Sequence, residues 1–289
     1  MAVHQPAVVA VDADEGSVRS RISGRVRRRI LINVCRVALL GGALGGWELG
    51  VNTNHIDPFF WGQPSGIYKQ LKTWITDGTP QGSLADQILV TLQEAVYGFL
   101  IGVSLGVVLG IALGRNRFLA DLFSPFIKVA NSIPRIVLGA LFTVAFGFGL
   151  TSKVILAVVL VFFGVFFNAF QGTREVDRNL LSNARILGAS RWQTTRQVVL
   201  PSAFTWILAS LHISFGFALI GAVVGELLGA DKGMGLLIRS AQNNFNANGV
   251  LAGMAVIGVI ALVAEALITA LENRLLRWRP PQMAGDAGV

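Results

Sequence analysis

The stretch "GFLIGVSLGVVLGIALG", residues 98–114, contains no charged side chain and places Gly98, Gly102, Gly106, Gly110 and Gly114 four residues apart. With the apolar residues before it, from about 87 on, it is long enough to cross a bilayer as a helix, which takes about 20 residues. Residues four apart share one helical face. The five glycines therefore form a single groove into which another backbone can come close. We read the groove as helix packing within the chain, ahead of a glycine-lined pore. Gly41, Gly42, Gly45 and Gly46 form a shorter version.

The rest of the chain is of the same kind. Of 289 residues, 53% are hydrophobic and 14% charged, with a mean hydropathy of +0.61, against about 25% charged in soluble domains. Six apolar segments stand out, at roughly 30–51, 87–114, 127–150 (interrupted by Pro134), 153–171, 203–228 and 249–272. The expected fold class is therefore an all-α integral membrane protein with six transmembrane helices. Charge gives the orientation. With the amino terminus inside, the inner segments hold 17 Lys and Arg residues against 5 outside, which predicts both termini in the cytoplasm. The net charge of +8 is explained by this bias and not by nucleic acid.

Residues 1–29 form a basic cytoplasmic tail, expected to be mostly disordered. They are read as an orientation signal in preference to an anionic-lipid arm, and they lack the early apolar core of a signal peptide. Residues 30–84 hold the first span and an external segment, where Phe59, Phe60, Trp61 and Trp74 suit a membrane interface. Residues 281–289 are a short tail.

Several chemistries are excluded. Cys35 is the single cysteine, so no intrachain disulfide or cysteine zinc cluster exists. His4, His55 and His212 are far apart. "GFGLTSK", 147–153, lacks the glycine that precedes the lysine of a phosphate loop, so no ATP site or other cofactor is expected here, and the segment reads as a short outer turn. His212 and Ser214 face different sides of a helix, and Ser104 has no elbow, which argues against an intramembrane hydrolase.

Polar groups inside spans are costly and therefore informative. The candidate path or gate residues are Asn131, Pro134, Asn168, His212 and Glu226. Glu226, in "AVVGELLGADKGMG", has two readings: a partner for backbone donors of the glycine-rich turn that follows, or a group facing the solute. An ion-coupled transporter using Glu94, Glu226 or Glu265 is the alternative to the function reached below.

The polar stretch between the fourth and fifth spans is residues 172–202, ending in "NARILGASRWQTTRQVVLPS" (183–202). Asp177 to Ser182 can start a helix, Gly188 bends or breaks it, Ser190 caps a second helix, and Pro201 sets the entry into the fifth span. Two short basic helices across the inner membrane face would suit a cytoplasmic partner.

This loop resembles the coupling loop of type I ABC importer permeases, the binding-protein-dependent inner-membrane components. Their motif runs Glu-Ala-Ala, three residues, Gly, nine residues, Ile-x-Leu-Pro. Ala184 and Gly188 match, Val198 replaces Ile, and Leu200-Pro201 close it. Ser182 stands where Glu is usual and Asn183 where Ala is usual. The resemblance covers 85–280 and is greatest to the nitrate, sulfonate, taurine and bicarbonate branch. "NSIPRIVLGALFTVAFGFGLTSK", "LGASRWQTTRQVVLPSA", "FALIGAVVGELLGADKGMG" and "LLRWRP" carry it. Glu94 and His212 stand where that branch has arginine.

The resemblance implies a half-pore in the bacterial inner membrane, in a homodimer of two permease copies surrounded by lipid. Two cytoplasmic ATPases would bind ATP and Mg, and an external binding protein would deliver a small, anionic solute. The chain itself would not be an enzyme. The coupling residues would be Ser182, Asn183, Ala184, Gly188, Ala189, Ser190, Arg191, Leu200 and Pro201.

Overall fold

The computed structural model describes residues 15–275. Residues 1–14 of the basic tail and the expected tail at 281–289 lie outside them. Among the described residues the regular elements are helices, with one isolated bridge, Thr79 to Gly82.

Helix α1 runs Glu15–Asn52. The arginine-rich segment expected to be disordered is thus helical from Glu15. Arginine is a good helix former, and the segment continues a span at Ile30–Asn52, so it need not nucleate a helix alone. Helix α2 (Pro58–Trp61) starts at Asp57, whose Oδ1 accepts from the Phe59 amide at 2.9 Å. Glu48 near the end of α1 accepts from Gln63 Nε2 at 2.7 Å and from the Ser65 amide at 3.1 Å. That pairing joins the end of α1 to the start of α3 (Pro64–Thr76). The chain divides into two compact units after Ser65.

The second unit continues through α4 (Leu84–Arg115), α5 (Arg117–Ser132), α6 (Val137–Phe146), α7 (Leu150–Arg174), α8 (Arg178–Ile186), α9 (Arg191–Thr194), α10 (Leu200–Leu228), α11 (Met234–Asn243) and α12 (Ala247–Leu275). Five helical segments of the described chain are long and apolar enough to cross a membrane. The α5–α6 pair makes a sixth if taken as one broken span, bent by 93°. Pro134 explains the bend. It has no amide proton to donate and keeps Ile133 extended, at φ −71° and ψ 129°.

The fifth span starts earlier than expected. Pro201 does not separate a surface helix from it. One apolar helical stretch runs Trp192–Leu228, because Thr195–Val199 form a π turn in which the Leu200 amide donates to the Thr195 carbonyl. The wider turn lets the proline ring continue the helix without breaking it. The second short helix of the expected pair is therefore the base of α10.

Helix α4 lies along α7. A methyl group at Gly102 would sit 2.8 Å from Val161 Cβ, at Gly106 2.9 Å from Val165 Cβ, and at Gly110 2.7 Å from both Ala169 Cβ and the Phe166 carbonyl. On the other side of α7, a methyl at Gly221 of α10 would sit 2.9 Å from the Ala157 nitrogen. Ala95, Val161, Val165, Phe215, Ala218, Leu219 and Ala222 form the core between these three helices. Trp74 of α3, Met234 and Leu237 of α11 and Ala252 of α12 form a second cluster.

A polar knot closes one end. Glu226 is fully buried. Its Oε1 accepts from Thr91 Oγ1 at 2.6 Å and its Oε2 from the Gly235 amide at 2.6 Å. Thr91 Oγ1 in turn accepts from the Met234 amide at 2.8 Å, and Gln87 Oε1 from the Gly233 amide at 2.7 Å. The first three amides around the start of α11, which have no intrahelical partner, are thus satisfied by α4 and α10 side chains. Gly233 sits at φ +119°, a backbone region that favours glycine.

Two outcomes are expected. Gly106→Leu should destabilise the detergent-purified protein by at least ~2 kcal/mol through overpacking, read as a lowered melting midpoint, whereas Val108→Leu on the exposed face should leave it unchanged. Glu226→Ala should strand the Gly235 amide, at about 1–3 kcal/mol, whereas the Thr91 hydroxyl keeps the Gln87 carbonyl at 3.2 Å as acceptor. Hydrogen exchange at residues 233–235 should accelerate by more than tenfold, with Glu226→Gln intermediate; unchanged exchange in the alanine variant would refute the knot.

Candidate functional site

The polar segment after α7 is built by a chain of caps. Asp177 Oδ1 accepts from the Asn179 amide at 2.8 Å and starts α8. At the far end the Ala189 amide donates to the Ala184 carbonyl at 3.0 Å, closing over Gly188 at φ +75°. This is the six-to-one bond of a Schellman stop, with glycine where the left-handed residue is required. Ser190 and Gln193 then make a reciprocal capping box: Ser190 Oγ accepts from the Gln193 amide at 3.2 Å, and Gln193 Oε1 from the Ser190 amide at 2.8 Å. A stop and a start three residues apart produce a sharp corner.

That corner presents apolar side chains. Ile186 is 81% exposed, Leu187 85% and Trp192 67%. Ser182 and Asn183 are exposed on α8. Nothing lies within 4 Å of the space a side chain would take at Gly188. Leu181, Ala189, Thr194, Thr195 and Val199 face the end of α4 and the start of α5 across a cavity of about 1090 Å³. Leu200 and Pro201 belong to the first turn of α10.

The intramembrane candidates do not converge on one site. Asn131 and Pro134 stand at the α5–α6 bend, where Asn131 Oδ1 accepts from Arg135 Nη2. Asn168 donates to the Gly164 carbonyl of its own helix at 2.9 Å. Glu226 is engaged in the knot. His212 is held between two carboxylates of α12, Glu265 at 2.7 Å on Nδ1 and Glu272 at 2.8 Å on Nε2, beside a cavity of about 580 Å³ lined by Phe215, Gly216 and Leu262. With both ring nitrogens occupied, the imidazole cannot act as a base toward Ser214, which is itself buried.

Sequence reasoning passed over three groups here. Lys153, counted as an outer charge, is 1% exposed; its Nζ donates to the Phe148 and Gly149 carbonyls. It acts electrostatically on Glu226 and on Glu94 of α4, and Glu94 Oε2 is buried without a hydrogen-bond partner. Glu272 lies two helical turns beyond Glu265, a spacing visible in the sequence. Arg135 directly follows Pro134 at the α5–α6 bend and looks in sequence like an ordinary flanking charge. Among the described residues no group of three His, Cys, Asp or Glu side chains is placed to hold a metal ion.

Comparison with known proteins agrees with this architecture. The profile of the "Binding-protein-dependent transport system inner membrane component" family matches residues 102–277. The putative aliphatic sulfonates transport permease protein SsuC of Bacillus subtilis is 33% identical over 68% of this chain and 72% of its own length. The taurine transport system permease protein TauC of Escherichia coli is 30% identical over 87% and 90%. The riboflavin transport system permease protein RibX of Chloroflexus aurantiacus is 32% identical over 80% and 85%. Among solved structures, an amino acid ABC transporter matches with a TM-score of 0.54 at 21% identity, over 65% of this chain and 92% of that one. The inward-facing MetNI methionine ABC transporter matches with 0.51 at 23%, over 67% and 93%. At such identities the likeness is one of fold. The chain belongs to the family of binding-protein-dependent transport system inner membrane components: it is a multi-pass inner-membrane permease of an ABC importer, a transport component and not an enzyme.

Proposed function

We propose that this permease forms half of a translocation pore for a small anionic solute, and that segment 183–201 docks on a cytoplasmic ATPase. The single observation that carries the docking is the corner at Gly188. It holds Ile186, Leu187 and Trp192 outward at high exposure, on a frame fixed by a Schellman stop and a capping box. Large apolar side chains held rigidly in the open are what an interface core uses. The charge bias of the connecting segments supports a cytoplasmic corner and cytoplasmic termini.

The assembly we infer has two copies of this chain, two ATPases that bind ATP and Mg, and an external binding protein. Residues 85–280 would be the permease core, after a basic tail at 1–29 and a first span with its external segment at 30–84. Within the corner, Ala184 supplies the carbonyl that closes the stop, Gly188 the left-handed turn, Ala189 the donor and Ser190 the cap. Arg191 starts the next helix, and Ser182 and Asn183 offer polar contacts where the family has Glu and Ala. Sulfonate and taurine permeases among the relatives support an anionic solute; nitrate-, bicarbonate- and aromatic-acid-like solutes share that charge. Two of the three carriers of the ion-coupled alternative are engaged elsewhere, Glu226 with the α11 amides and Glu265 with His212, which leaves it only Glu94.

Replacing Ile186 and Leu187 together by Glu should leave the permease folded, because both side chains are already exposed. The variant should lose at least tenfold in ATPase co-purification and in solute-stimulated ATP hydrolysis by the reconstituted complex. Retention of the ATPase at the parent level would remove the corner from the interface.

A further inference from the structure

Arg135 stands where a cation is hardest to keep. Its guanidinium carbon lies 4.6 Å from the centroid of the Phe163 ring. Phe163 is midway along α7, roughly 18 Å from either end at 1.5 Å per residue. A charge at that depth is costly and normally meets a partner charge or lines a watery path. Arg135 has no carboxylate within ion-pair distance among the described residues, where the ion pairs are Arg117–Asp121 and those of His212. Nη2 donates to Asn131 Oδ1, Nε is buried without a partner, and Nη1 makes no hydrogen bond to the described residues. One neutral oxygen and one ring face leave the positive charge unneutralised.

The surroundings repeat that chemistry. The Phe162, Phe163, Phe166, Phe167 and Phe170 rings of α7 touch one another in series, and at the far end of the row the Arg174 guanidinium lies 5.1 Å from the Phe170 centroid. There α5 and α7 enclose a cavity of about 180 Å³ lined by Lys128 and Arg174. The carboxylate that also lines it, Asp121, lies 3.9 Å from Arg117.

We propose that Arg135, set by the Pro134 bend and oriented by Asn131 and Phe163, is the group that meets the negative charge of the solute midway across the membrane. The ligand class is an organic anion bearing a sulfonate or carboxylate on a small apolar body. A guanidinium offers such a group paired donors in a planar fork. The inference rests on reading the chain as a permease for an anionic solute.

The test uses the complete importer in proteoliposomes, with Cys35→Ser as the parent permease, and follows uptake of radiolabelled ethanesulfonate and propionate. No uptake of either anion by the parent overturns the anionic-solute reading itself, and this inference with it. Given parent uptake, Arg135→Cys should lower it at least tenfold. A cationic trimethylammonioethyl methanethiosulfonate should then restore it at least threefold, while the anionic sulfonatoethyl reagent should not. The parent treated with each reagent corrects for thiols on the other subunits. Arg135→Lys and Arg135→Gln repeat the comparison without a thiol: lysine should stay within about threefold of the parent, and glutamine should fall at least tenfold through a raised KM. Phe163→Leu, which removes the ring but not the charge, should be milder than glutamine. Equal action of the two reagents, equal uptake by the lysine and glutamine variants, or a Phe163→Leu defect matching glutamine would reduce Arg135 to a packing residue and overturn the proposal.

Discussion

Along α4 the side chain that would hold two helices apart is missing at every fourth position, and α7 presents Ala157, Val161, Val165, Ala169 and Thr173 at the same interval. Lipid tails are as apolar as leucine, so helices in a bilayer gain little by hiding apolar surface from one another; close van der Waals contact has to supply the attraction. The glycine groove permits that contact. Ala157 shows how tightly it is used, since Gly98 of α4 and Gly221 of α10 both approach it. With α7 clasped from both sides, the spacing of α4, α7 and α10 is set by backbone and not by bulky side chains.

The polar knot follows from this spacing. Glu94 lies one turn before Gly98 on α4, Lys153 one turn before Ala157 on α7, and Glu226 just over one turn beyond Gly221 on α10. Helices held that close must bury whatever occupies those positions, and a buried charge without partners is costly. The chain meets the cost with Thr91, Gln87 and the amides of residues 233–235. The same residues thereby anchor the start of α11, whose Met234 and Leu237 complete the cluster around Trp74. Packing and polar satisfaction are one device here, and it takes Glu226 away from any carrier role.

Elements with a local cause could be read from the chain. The glycine stop at 188 and the serine cap at 190 rest on contacts within a few residues, and the four-residue glycine period is a local pattern even though the helix it packs against lies about 60 residues on. Features that depend on distant partners were not legible. Lys153 looks like an outer charge until Gly225 and the carboxyls of α4 and α10 surround it. Pro201 looks like a boundary because a proline usually ends a helix; only the π turn before it lets the helix run on. The basic segment after Glu15 looks disordered by charge, yet it propagates from a span already nucleated. That Glu265 and Glu272 take both ring nitrogens of His212 depends on how α10 meets α12.

The π turn has a mechanical consequence for the proposed coupling. Had Pro201 broken the chain, the corner at Gly188 would hang from α10 by a joint, and a push from an ATPase would be absorbed there. Instead helical backbone continues from Arg191 through Leu228, about 57 Å at 1.5 Å per residue. One end of this rod carries the exposed Trp192 and the other carries Glu226, whose bonds reach α4 and α11. A displacement applied at the corner is therefore delivered to the polar knot and along the face of α7, the helix against which Arg135 rests.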